Sequence, residues 1–203
     1  MNPKVLRRFI ILMIALIAAM VIGTDALKGL FSRPPGDKET ETGTLRLEDG
    51  MYQEALVQYD KALQVSPNHR GALMGRALVF INTEQYPLAR QELDYLIKYL
   101  RKNIEKDDTT GYGVLAAAYA NRGIVLDRMG HYKLALDDYV RSLQTEPETV
   151  AGPGVVNKIL YGSERVSTVR DRAKYLYEQL QLPEEKRVMR IPELDKRQRM
   201  YKP

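Results

Sequence analysis

The chain has 203 residues, a hydrophobic fraction of 44% and a formal net charge of +5. That length allows one domain of ordinary size plus extensions, with enough apolar residues for a core. There is no cysteine, which excludes disulfides and thiolate metal sites.

The chain begins with Lys4, Arg7 and Arg8 ahead of Phe9 to Gly23, 15 residues without a charge. Continued through Ala26 and Leu27 the stretch reaches 19 residues, close to the roughly 20 that span a bilayer as a helix. A cleaved signal peptide shares the basic start and the short apolar centre, but no A-x-A site follows here. Residues 1–8 therefore read as a basic flank, 9–27 as a transmembrane anchor and 28–36 as a linker broken by Pro34, Pro35 and Gly36. The positive-inside bias puts the N-terminus in the cytoplasm and the rest beyond a bacterial inner membrane, in the periplasm. The alternative is a cleaved, soluble periplasmic adaptor for cell-envelope machinery.

Beyond the linker the chain repeats itself. A shift of 80 residues lays Gly43 on Gly123, Gly50 on Gly130, Tyr52 on Tyr132, Ala55-Leu56 on Ala135-Leu136, Tyr59 on Tyr139 and Pro67 on Pro147. Such self-similarity marks a repeat architecture. In the first copy a helix ends at Glu48-Asp49, Gly50 turns the chain, and a second helix runs from about Tyr52 to Val65. Ala55, Tyr59, Ala62 and Leu63 share one face of that helix. Small residues at Gly43, Ala77 and Gly123 allow two helices to approach closely.

These residues resemble the tetratricopeptide repeat, a helical hairpin of 34 residues whose frame fixes a small residue, Gly, Tyr, Ala, an aromatic and Pro. In that frame the first repeat starts at Gly36 and the second at Arg70, carrying Ala77, Phe80, Tyr86, Ala89, Leu93 and Leu96. The third starts near Ala116. The resemblance implies an all-α helical-hairpin solenoid over 37–182, with three repeats and a degenerate capping hairpin, behind one N-terminal transmembrane helix. The second repeat departs from the frame. Its second helix runs on through Ile97, Leu100 and Ile104, and Lys106 to Gly111 reads as a polar loop suited to a partner contact or merely tolerated.

Glu148 to Gly154 is a break. Val155 to Tyr161 reads as a short helix and Val166 to Leu182 as a longer one, with Ala173, Leu176, Tyr177 and Leu180 on one face. The tail, 183–203, holds seven basic and two acidic residues from Lys186 onward. After a turn at Pro183 to Lys186, Ile191-Pro192 and the run from Lys196 to Pro203 read as extended. The tail fits a basic arm for anionic lipid headgroups or nucleic acid, an arm laid on a partner, or a solvated end. Candidate tail contacts are Arg190, Ile191, Leu194, Arg197, Arg199 and Tyr201, with Met200 as a further anchor.

No catalytic set emerges. His69 and His131 fall at turns and read as surface residues, and a metal site would need further ligands held close. Asp107-Asp108 and Asp137-Asp138 are neighbours that point apart on a helix. No cofactor, metal, nucleic acid or small-molecule substrate is expected, and the chain reads as a non-enzyme. The resemblance instead implies a concave groove lined by Met74, Leu78, Ile81, Asn82, Ile124, Asp127 and Arg128, with Gly71, Ala117 and Ala120 beside them. The family's chaperone-binding members clamp a peptide carboxylate with Lys and Asn; here Thr40, Thr44, Gly71 and Gly75 stand at those positions. The chain's own C-terminal hairpin or linker is one candidate to fill the groove, since large apolar patches rarely stay bare. The expected function is a membrane-anchored scaffold, an accessory subunit or assembly factor binding protein subunits of an inner-membrane complex.

Overall fold

The computed structural model describes residues 6–7, 10–20, 33–146, 168–192, 195, 198, 200 and 201. The chain divides into two compact units, Met1–Pro34 and Pro35–Pro203. In the first, residues 10–20 form a helix, α1. Its apolar side chains are exposed on every face, from Met13 at 41% to Met20 at 72%. Among the described residues no helix is long and apolar enough to cross a membrane. The expected span also takes in Phe9 and residues 21–27, which lie outside the described ones.

The second unit is built from helical hairpins. Its helices are α2 (Asp37–Glu48), α3 (Tyr52–Val65), α4 (Arg70–Asn82), α5 (Tyr86–Asn103), α6 (Thr109–Arg128), α7 (Tyr132–Thr145) and α8 (Val169–Gln181). Consecutive helices pack as pairs α2–α3, α4–α5 and α6–α7. The first helices α2, α4 and α6 also touch in sequence, so they form one layer of the array, and α8 packs on α7.

The hairpin turns repeat one device. Gly50 (φ 73°) and Gly130 (φ 81°) adopt the left-handed conformation that closes a helix C-terminus. The next residues, Met51 and His131, donate their N–H groups back to the Arg46 and Leu126 carbonyls at 2.8 Å. In the second repeat the same conformation falls on Glu84 (φ 58°), a non-glycine residue. Sequence had given Glu84 no special role, because only its backbone is unusual.

The hairpins close around two buried tyrosines. Tyr59 and Tyr139 have no exposed surface. A Cβ at Gly43 would lie 2.8 Å from the Tyr59 ring, and one at Gly123 would lie 2.6 Å from the Tyr139 ring. The small residues thus serve the close approach that the spacing suggested. Tyr59 meets a second glycine as well, since a Cβ at Gly75 would stand 2.2 Å from its Cζ.

Arginines staple one hairpin to the next. Arg76 on α4 donates to Asp60 on α3 (2.8 Å) and Glu92 on α5 (2.7 Å). Arg122, the equivalent residue on α6, is bidentate to Asp138 on α7 (2.6 and 2.7 Å) and reaches Asp94 on α5 at 2.7 Å. Burial works against the Arg122 charge, but Asp138 and then Asp94 outweigh it and raise its pKa.

Three expectations need correction. The polar stretch Lys106 to Gly111 is not a loop throughout, because α6 starts at Thr109. Asp108 caps that helix by accepting from Gly111 N–H at 2.7 Å, and Arg70 donates to the same carboxylate at 2.6 Å. His69 is not a surface residue. It is half-buried, caps α4 by accepting from Ala72 N–H at 3.2 Å, and meets Asp37 through Nε2 at 2.8 Å. The Thr- and Glu-rich α2 is thereby tied to α4. On α8 the buried face is Val169, Arg172, Ala173 and Leu176, whereas Tyr177 is 59% exposed. Arg172 finds a buried partner, so the face turns toward it. The short helix expected at Val155 to Tyr161, and Pro147, lie outside the described residues.

The Asp108 cap gives a pH prediction. The Gly111 N–H and then Arg70 favour the charged form and hold its carboxyl below the usual aspartate range. Its stabilisation is therefore present above the unfolded value, about 4, and is lost as pH falls through the folded one. Asp108→Asn keeps a cap acceptor but no charge. Thermal melts should show it less stable than the parent at neutral pH, with the gap closing in acid. A gap that persists unchanged at pH 2 would disprove the assignment.

Candidate functional site

The groove residues inferred from sequence lie on α4 and α6, but few of them are open. Met74, Leu78, Ile81, Ile124 and Asp127 are buried, Arg128 is half-buried and Asn82 is exposed. Ile124 packs in a cluster with Val169, Ala173 and Leu176 of α8. Met74, Leu78 and Ile81 belong to the main core, against which Met200 and Tyr201 of the tail are packed. The chain's own tail therefore lies against the α4 and α6 residues that the resemblance assigns to the groove.

Asn121 holds it there. Its side chain is fully buried and grips the main chain of Tyr201 twice. Nδ2 donates to the Tyr201 carbonyl at 2.7 Å, and Oδ1 accepts the Tyr201 N–H at 2.8 Å. This pairing satisfies both polar ends of a buried amide, which would be costly to leave unmade. The Tyr201 hydroxyl accepts the N–H of Val169, the first residue of α8, at 3.0 Å. That N–H is one of the donors that a helix start leaves without an internal partner. Met200 lies with its sulfur 3.8 Å from Asn82 Nδ2.

A charged network continues the contact. Arg172 is bidentate to Asp127 at 2.7 and 2.8 Å, and both are buried. Arg172 also donates to the Met189 carbonyl at 2.8 Å. The Tyr139 hydroxyl donates to Asp127 at 3.2 Å and accepts from Gln198 Nε2 at 2.8 Å. Burial, then the Asp127 charge, push the Tyr139 pKa well above the usual tyrosine range, so the phenol stays a donor. Asp195 stands among three guanidinium groups, with Arg190 at 3.1 Å, Arg128 at 3.7 Å and Arg172 at 3.9 Å. Arg128 also donates to the Asp195 carbonyl at 2.5 Å.

Of the candidate tail contacts, Arg190 and Tyr201 enter this network, and Ile191 accepts the Asp195 N–H at 2.9 Å. That bond closes one helical turn where an extended chain was expected. Leu194, Arg197 and Arg199 lie outside the described residues. Sequence reading missed Asn121 and Arg172. Asn121 had a signal, being the one amide on the face of α6 that carries Ala117, Ile124 and Arg128. Arg172 had none, because its partner is 45 residues away.

A second depression opens between α7 and α8, lined by Leu136, Val140, Leu143, Ala173 and Tyr177. Among the described residues no group of three or more His, Cys, Asp or Glu could hold a metal ion.

No protein-family model matches the sequence, and no curated protein matches it. Solved structures do match. One is the first TPR domain of Spaghetti (RPAP3), bound to the HSP90 peptide SRMEEVD. It is 17% identical with a TM-score of 0.52, over 72% of this chain and 93% of that one. Another is the Sgt2 TPR domain from Aspergillus fumigatus, 18% identical with a TM-score of 0.50, over 74% of this chain and 87% of that one. Landmark residues, hairpin geometry and these neighbours agree that the chain has the tetratricopeptide-repeat fold.

Proposed function

We propose that the chain is a non-catalytic, membrane-anchored scaffold, an accessory subunit or assembly factor that holds protein segments of an inner-membrane complex on its concave face. The observation that carries this reading is the Asn121 clamp. A side chain that pairs with both the N–H and the carbonyl of one residue recognises protein main chain. A domain of the same fold has been seen with a bound peptide. The anchor reading is supported by α1, whose side chains are all apolar and exposed. A helix with no polar face is stable where lipid covers it. The flanking Lys4, Arg7 and Arg8 favour an array on the periplasmic side.

The test is gentle detergent extraction of the full-length protein from its native membrane, followed by native mass spectrometry. Companion subunits should travel with the parent, and Asn121→Leu should release at least one of them while circular dichroism shows the helical content of the array retained. A protein that extracts alone would contradict the scaffold reading. So would companions that ignore the substitution.

A further inference from the structure

Away from the α4 and α6 groove, one surface of α5, α7 and α8 carries charge that the array does not use. Of the seven arginines on α5 to α8, Arg90, Arg122, Arg128 and Arg172 each meet a carboxylate. Arg101, Arg141 and Arg170 form no ion pair among the described residues, and neither do Lys98 and Lys102. Arg141 joins them into one surface. It lines a depression between α5 and α7 together with Lys98, Arg101 and Lys102, and the α7–α8 depression together with Arg170. It lies 5.9 Å over the Tyr119 ring, which attracts a cation without neutralising it. Of the carboxylates lining this surface, Asp94 and Asp138 are held by Arg122, and Asp137 remains.

Helix ends explain only part of the cluster. Arg101 and Lys102 stand in the last turn of α5, which favours cations, but Arg170 stands in the first turn of α8, which disfavours them. The repeat frame also breaks here. α5 has 18 residues where α3 and α7 have 14, and the additional turn carries Arg101 and Lys102. Between the cations, Leu134, Val140 and Tyr177 are exposed beside Arg141. Cations interleaved with exposed aliphatic and aromatic groups match the headgroup layer of a bilayer, where charge meets phosphate and apolar side chains enter the boundary below.

We infer that this surface of α5, α7 and α8 docks on a bilayer leaflet bearing anionic phosphate headgroups. Lys98, Arg101, Lys102, Arg141 and Arg170 face the phosphates, and Leu134, Val140 and Tyr177 enter the boundary beneath them. This rests on the anchor reading. The linker of residues 28–36 spans at most about 30 Å when extended, so an anchored array works beside the bilayer.

The experiment uses the full-length protein in vesicles of phosphatidylcholine, alone or mixed with an equal part of phosphatidylglycerol. The chain has no cysteine. Gln144→Cys therefore places a single spin label at the α7–α8 depression, and Gln64→Cys on α3 gives a control. The first label should be at least about threefold less accessible to a water-soluble relaxant in the anionic vesicles than in the neutral ones, and the control should not change. Each cation near such a surface contributes about fivefold to binding. Lys98→Gln with Arg101→Gln and Arg141→Gln should therefore abolish the protection while circular dichroism shows the helices retained. Raising the salt from about 0.1 M to about 1 M should abolish it too, since the screening length falls from about 10 Å to about 3 Å. No protection on anionic vesicles would overturn the inference. So would protection equal in both vesicles and indifferent to the triple variant, which would assign the cover to the chain itself or to a second copy. Protection in native membranes but in neither vesicle would give the surface to an acidic protein partner and would also overturn it. An alkaline wash of the neutral vesicles tests the anchor separately. Protein that washes off them yet is protected on anionic vesicles would sink the anchor and leave this surface standing. Protein retained without protection would do the reverse.

Discussion

Arg172→Met should destabilise the array by about 3–5 kcal/mol, the range seen when one partner of a buried ion pair is removed. Asp127 would lose its bidentate partner in a buried site, with the Tyr139 hydroxyl left as its donor among the described residues. For a chain of this size each kcal/mol lowers the melting temperature by about 2–4 °C. The expected fall is on the order of 10 °C. The loss should not be read as the strength of the pair, because much of it is the unpaired carboxylate. A double replacement separates the two. Arg172→Met with Asp127→Leu removes both charges and should recover most of the stability, since apolar replacements of whole buried pairs are often near neutral. Thermal melts of parent, both singles and the double decide the matter. A single variant that melts with the parent would mean that the pair is not buried in solution.

The second large effect is expected at Gly75. A helix interior ordinarily prefers Ala to Gly by about 1 kcal/mol. Here the added methyl would stand 2.2 Å from Tyr59 Cζ and 2.4 Å from Cε1. The ring has little room to retreat, because it is fully buried and Gly43 also crowds it, its own Cβ position standing 2.8 Å from Cε1. Overpacking of this kind costs about 1–3 kcal/mol and sometimes more. The steric term should exceed the propensity gain, and Gly75→Ala should be about 2 kcal/mol less stable than the parent. Tyr59→Leu should relieve the clash, so the double variant should be more stable than the sum of the singles implies. Chemical denaturation of the four proteins tests the coupling. Simple additivity would contradict the wedge.

The hairpins were readable because their defining residues act through backbone and size. Glycines at left-handed turns, prolines after helices and a small residue under each tyrosine leave marks at fixed spacing. The start of α6 was not readable. Gly111-Tyr112-Gly113 carries the residue types of a loop, and it becomes helical because Asp108 caps it and Arg70 holds Asp108. Periodicity alone places Tyr177 on the buried face. Periodicity could not know that Arg172, paired to Asp127, would claim that side. The groove was legible as a face, and the C-terminal hairpin as a candidate to cover it; that the tail beyond the hairpin also lies there was not legible. Asn121 holds the tail through the main chain of Tyr201, and main-chain contacts leave no trace in the identity of the residue that makes them.

The tail contact changes what kind of object the array is. A stack of hairpins is nearly one-dimensional. Each unit touches its neighbours, and the ends can fray without disturbing the middle. Here Tyr201 is joined to Asn121 and Val169, and Met200 to Asn82, across separations of 80, 32 and 118 residues. Those links run from the last described residues back into the second and third hairpins and close the row into a circuit. Opening any one of those elements then loosens the others. The array should then unfold as one cooperative unit rather than a row of independent ones, and removal of the tail should restore the fraying of an ordinary solenoid.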